Sequence, residues 1–158
     1  MVYLFSLVWF ICLQPWGAFR DPDSFYHAKV TEIILHGSSI SGVEMLKVGP
    51  FHFLRNFPWL DLTLLNETFV DQHLLYHLLL TPFVAVFGMF WGVQIATVLF
   101  AGFFIAFFYG LLRWLRVAHP GLWTFLLAVC MPFAFRLSLG KATPLALGWF
   151  LLGMGVCL

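Results

Sequence analysis

Asp21-Pro22-Asp23 sets two carboxylates two residues apart in a chain of which only 9% is charged. One carboxylate so placed can act as general base on a hydroxyl or an amide. The other can hold a divalent cation, Mg2+ or Mn2+, or orient the acceptor. Apolar surroundings and a neighbouring like charge both raise a carboxyl pKa, so one of the pair is expected above its ordinary value. The plainer alternative is a solvated Asp21 next to an Asp23 that only caps a helix and meets its dipole. Pro22 favours an extended Asp21 and suits a first helical turn.

Two more groups have chemistry in their spacing. His73 and His77, i and i+4, share a helix face beside Asp71 and Gln72, but no glutamate of an HExxH pattern lies between them. Their plain reading is an interfacial helix with histidines facing water or the acidic loop. With His27 they are candidate supporting residues. Arg136 and Lys141 flank Leu137-Ser138-Leu139-Gly140. Two cations near a bilayer surface can neutralise a donor phosphate, the arginine as a fork of donors and the lysine as a point charge. Snorkelling from a helix end is the alternative. Cys12, Cys130 and Cys157 lie in apolar segments and make neither a disulfide framework nor a zinc spacing.

The elements that must position these groups follow from composition. The chain is 62% hydrophobic and 20% aromatic, far from the balance of a soluble domain. It reads as an all-α, polytopic integral membrane protein. All seven acidic residues fall between Asp21 and Asp71. Against four basic ones they leave the stretch from Arg20 to Trp91 at −3. The net charge of the chain is +1, which excludes a basic nucleic-acid surface. Four spans are expected: 1–19, 93–112, 121–136 and 144–158. The first is expected to be an uncleaved anchor, because it lacks a basic n-region and a small-residue cleavage site.

Arg113 and Arg116 in the short loop 113–120 place that loop, and the N-terminus, in the cytoplasm. Loops 20–91 and 137–143 then share the extracytoplasmic side. That choice makes residues 69–88 a juxtamembrane helix on or dipping into the bilayer, opened by a Thr68–Asp71 capping box. A first interfacial helix starts at Asp23 or Ser24 and ends at Gly37. Between the two helices, Gly49-Pro50 and Phe57-Pro58-Trp59 read as irregular loop, and Asn66-Glu67-Thr68 fits the glycosylation pattern.

A span followed by Asp-Pro-Asp-Ser-Phe-Tyr-His, at the start of a long outer loop with two interfacial helices, resembles the GT-C superfamily of membrane glycosyltransferases. Its oligosaccharyltransferase-like and protein O-mannosyltransferase-like members come nearest. Tyr26, His27 and Lys29 hold places comparable to the Tyr and basic residue that follow the family's Asp-rich motif. The resemblance implies sugar transfer from a polyprenyl-phosphate donor to a protein or glycan acceptor outside the cytoplasm. It implies that Asp21 or Asp23 is the base or metal ligand. The next outer loop, Leu137 to Lys141, lacks the family's second acidic motif. That departure counts against a metal site of the family type. The family's later spans and soluble C-terminal domain do not follow, and the sequence stops inside the fourth expected span, so the chain is expected to be the N-terminal part of a longer protein and inactive alone.

Two rival classes remain at this level. A polytopic transporter ordinarily buries an ionisable residue mid-span, and no Asp or Glu lies within an expected span here. A non-catalytic assembly or anchoring subunit is the other.

Overall fold

A computed structural model describes residues 1–37 and 73–157. Among them are seven helices and no strand: α1 (Val2–Leu13), α2 (Pro22–Gly37), α3 (Leu74–Phe87), α4 (Met89–Trp114), α5 (Pro120–Val129), α6 (Met131–Leu137) and α7 (Thr143–Cys157). The all-α expectation holds. Residues 38–72, with Asp71, Gln72, the Thr68–Asp71 cap and Asn66, lie outside the described residues.

Of these helices α4, with 26 residues, is long and apolar enough to cross a bilayer on its own. Helices α5 and α6 meet the same criterion only together, and they are bent by 76°. The others are shorter. Large apolar side chains lie bare on the outside of the bundle, Leu4, Val8, Leu122, Phe150 and Val156 among them. An outward apolar face of this extent calls for an apolar surrounding.

Prolines set most of the differences from the expected spans. Helix α1 stops at Leu13 rather than Phe19, because Pro15 holds Gln14 extended at φ −77°, ψ 137°. The expected single span 121–136 is two helices meeting at Cys130 (φ −64°, ψ 100°). Pro132 explains this: it has no N–H for the Ala128 carbonyl, and its ring crowds that carbonyl. The Trp9 indole N–H donates to Ala128 O at 3.0 Å and satisfies the group that Pro132 leaves open.

Helix α4 is the axis of packing. Gly88, at φ 77°, lets α3 double back against it after a single residue. The two backbones come so close that a Cβ on Gly92 would sit 2.5 Å from Phe83 O. Helix α1 packs on α4 through Leu7 and Tyr3 at Gly102, and α7 meets it with Gly155 beside Leu111 and Trp114. One core lies among α1, α4, α5 and α6, with Phe10, Phe104, Ile105 and Leu137 at its centre. A second joins α2, α3 and α4 through Ala28, Leu80, Val84 and Val93, and a small third one holds Val30 and Ile34 of α2. Hydroxyls inside these helices are satisfied locally: Ser6, Thr31, Thr97 and Thr124 each donate to the carbonyl four residues back.

The chain order gives the bundle two distinct ends. Gln14, Ser138 and the Gln94 end of α4 meet at one. Arg113 and Arg116 lie at the other, about 28 Å along α4 at 1.5 Å per residue.

Candidate functional site

At the Gln94 end, three charged side chains come together. Helix α2 begins at Pro22, whose fixed φ and missing N–H suit the first helical position. Asp21 precedes it and accepts hydrogen bonds from both the backbone N–H and the hydroxyl of Ser24. Asp21, not Asp23 or Ser24, therefore fills the capping role, and Asp23 falls in the first turn. Ser24 is buried, and its oxygen in turn accepts the Gly140 N–H at 3.0 Å.

Gly140 is suited to this approach. A Cβ there would lie 2.9 Å from Val93 Cγ1 and 3.2 Å from the Ser24 side chain. The stitch draws the α6–α7 loop over the start of α2. The Lys141 ammonium then sits 2.9 Å from Asp21 Oδ2 and 2.7 Å from Asp23 Oδ2.

The two carboxylates differ in access. The Asp21 side chain is 17% exposed and that of Asp23 67%. The expectation of a raised carboxyl pKa fails at Asp21. Burial does push it up, but the Ser24 hydrogen bond and the Lys141 charge outweigh burial and hold it below its ordinary value. Lys141 is raised, chiefly by its bonds to Asp23 and Asp21 against the opposing effect of burial. The reversal has two causes that act together, the Ser24 hydrogen bonds first and Lys141 after them.

A second layer fixes the segment leading into the site. Gln94, buried on α4, donates to Pro15 O at 2.9 Å and Ala18 O at 2.6 Å, and accepts the Gly17 N–H at 3.0 Å. Gln14 donates to Ser138 O at 3.1 Å, tying the end of α1 to the loop that carries Lys141. Arg20 donates to Leu13 O and lies over the Phe135 ring, 5.8 Å from its centroid. Gln14 and Gln94 had no place in the expected site, and Ser24 entered it only as a possible helix cap. The available signal was an amide inside an apolar run, which needs a partner wherever water is scarce.

The remaining candidates divide. Arg136, in the last turn of α6, is exposed and takes no part in the Lys141 cluster, although it precedes Leu137 and Ser138 at the same end. His27 and His77 are buried against each other between α2 and α3, Nδ1 to Nε2 at 2.8 Å. The His73 ring lies 5.1 Å from that of His27. Among the described residues no group of three or more His, Cys, Asp or Glu side chains is arranged to hold a metal ion. The aspartates present both Oδ2 atoms to an ammonium, which stands where Mg2+ or Mn2+ would sit, and Mg2+ demands a near-octahedral set of oxygens. Among the described residues these two carboxylate oxygens fall short of the octahedral set that Mg2+ takes. No family model, no curated protein and no solved structure matches the chain.

Proposed function

We propose that this chain is the membrane domain, or part of it, of a glycosyltransferase that moves a sugar from a polyprenyl-phosphate donor to an extracytoplasmic protein or glycan acceptor. The observation that carries the reading is the meeting of Asp21, Asp23 and Lys141 across the chain at one end of the bundle. Arg113 and Arg116 at the opposite end support a cytoplasmic face there, four crossings (α1, α4, α5–α6 and α7) and an outward-facing site. The GT-C-like wording of residues 21–27 supports the same class.

In this reading Asp23, the exposed carboxylate, takes the proton of the acceptor hydroxyl or amide. The acceptor atom bonds to the anomeric carbon as the bond from that carbon to the phosphate oxygen breaks, inverting the centre. Polyprenyl phosphate leaves with the bonding pair. Lys141 exchanges its carboxylate contacts for the phosphate, with Arg136 and Arg20 adding charge at the same end. Asp21, buried and doubly bonded to Ser24, positions Lys141. No metal enters this scheme.

The test is transfer from a polyprenyl-linked sugar by the full-length protein in membranes. Asp23→Asn and Lys141→Met are expected to lower turnover at least a hundredfold with expression unchanged. A specific observation favours one other reading, a structural clamp: both carboxylates already have a partner in Lys141. Wild-type turnover in Asp23→Asn removes Asp23 as the base and leaves the Asp21–Asp23–Lys141 cluster a clamp, whereas a wild-type protein that transfers no sugar removes the enzyme.

A further inference from the structure

At the end opposite the aspartates, α4 and α7 leave an open apolar groove of about 870 Å³, lined by Phe107, Gly110, Trp114, Leu152, Gly155 and Val156 among others. Its lining starts at Phe103 and stops at Trp114 on α4. The eleven helical steps between them measure about 16 Å. That is about half of a 30 Å hydrocarbon core, the depth of one leaflet. A second transmembrane helix would call for a groove through the full thickness.

The groove ends where the charge is. Arg113 lies in the last turn of α4, and Arg116 follows two residues after Trp114. Both are exposed, and among the described residues neither has a carboxylate partner. The backbone turns sharply here. Val117 N–H bonds to Leu112 O at 3.0 Å, and Arg116 sits at φ 54°, the left-handed position that closes such a helix end and favours glycine. An arginine there keeps a cation at the rim at the expense of backbone ease. Trp114 and Trp123, both exposed, mark this level as the headgroup zone.

We infer that this groove and its two arginines form a binding site for one anionic phospholipid, an acyl chain lying along Phe107, Gly110 and Gly155 and the phosphate against Arg113 and Arg116. The site is independent of the glycosyl-transfer reading and needs that α4 cross the bilayer with Arg113 and Arg116 on the cytoplasmic side. Basic rims between helices on the cytoplasmic side select anionic headgroups, and each arginine contributes about 1 kcal/mol, or about fivefold in affinity.

The experiment is lipid retention by the full-length protein, purified in mild detergent with equal amounts of phosphatidylglycerol and phosphatidylcholine and read by native mass spectrometry. Phosphatidylglycerol is expected to be retained preferentially, one per protomer. R113Q is expected to reduce its retention about fivefold and R113Q/R116Q about twentyfold. Arg116→Gly separates binding from folding, because it relieves the φ of 54°: the melting temperature is expected to rise while phosphatidylglycerol retention falls. Gly155→Trp, which fills the groove, is expected to abolish retention of both lipids. Equal retention of the two lipids, retention untouched by the arginine variants, or a disulfide-linked dimer of Gly110→Cys overturns the assignment.

Discussion

The Lys141 ammonium lies 2.7 Å from the Asp23 carboxylate, 118 positions away in the chain. This contact joins the first turn of α2 to the loop between α6 and α7, and with Ser24–Gly140 it closes the polar end of the bundle. The structure thereby unites two groups of residues that each have an ordinary explanation when taken alone. A capped helix and a snorkelling lysine would not require each other.

The ion cluster makes stability pH-dependent in two windows. Asp21 titrates below its ordinary 3.8 in the folded protein, so its contribution is complete well above 3.8 and is lost as pH falls through that value towards the lower folded one. Lys141 titrates above 10.5 when folded, so its contribution is complete below 10.5 and is lost as pH rises beyond it. In Lys141→Met the burial of Asp21 is opposed only by Ser24. The acid limb of stability should then move to higher pH and the alkaline limb should flatten. Thermal unfolding in micelles at pH 3 to 6 reads the first effect directly. Superimposable wild-type and Lys141→Met acid limbs would show that the cluster carries no linkage.

Gly92 should be the most sensitive glycine of the bundle. Its missing side chain leaves room for the Phe83 carbonyl, and backbone cannot rotate away as a side-chain tip can. Gly92→Ala should separate α3 from α4 and cost about 1–3 kcal/mol, as overpacking does. Gly148→Ala, where a Cβ would meet nothing within 4 Å, is the control. A Gly92→Ala protein as stable as Gly148→Ala would contradict the close approach of the two helices.

How far these features could be read from the residues depended on the range of the interaction. Runs of apolar residues gave the helices, because burying or embedding them is a local property of each segment. Pro15 and Pro132 moved the boundaries, and both are visible in the sequence. What could not be read was the match between Pro132 and Trp9, or between Gln94 and the turn at Gly17, since a donor and its orphan acceptor lie far apart in the chain. The acidity of Asp21 went the opposite way to its local reading for a mixed reason. The Ser24 hydrogen bonds that lower it are local, three residues on, whereas the Lys141 charge that adds to them arrives by folding.

The Trp9–Ala128 bond offers the sharpest check of that logic, because its two causes can be removed separately. Pro132 deprives the Ala128 carbonyl of its helical donor, and Trp9 supplies a replacement at 3.0 Å. Trp9→Phe keeps an aromatic ring but removes the N–H. An acceptor short of water is left open, at a cost of about 1–3 kcal/mol. Pro132→Ala restores a backbone N–H at that position and removes the ring that forces the 76° bend. If the indole serves chiefly to satisfy that carbonyl, Trp9→Phe should cost much less in a Pro132→Ala background than in the wild type. The coupling from this double-mutant cycle should be about 1 kcal/mol or more, within the range for residues that share one network. Additive costs would mean that Trp9 holds α1 to α5 by packing alone, and that the break at Cys130 stands without its help.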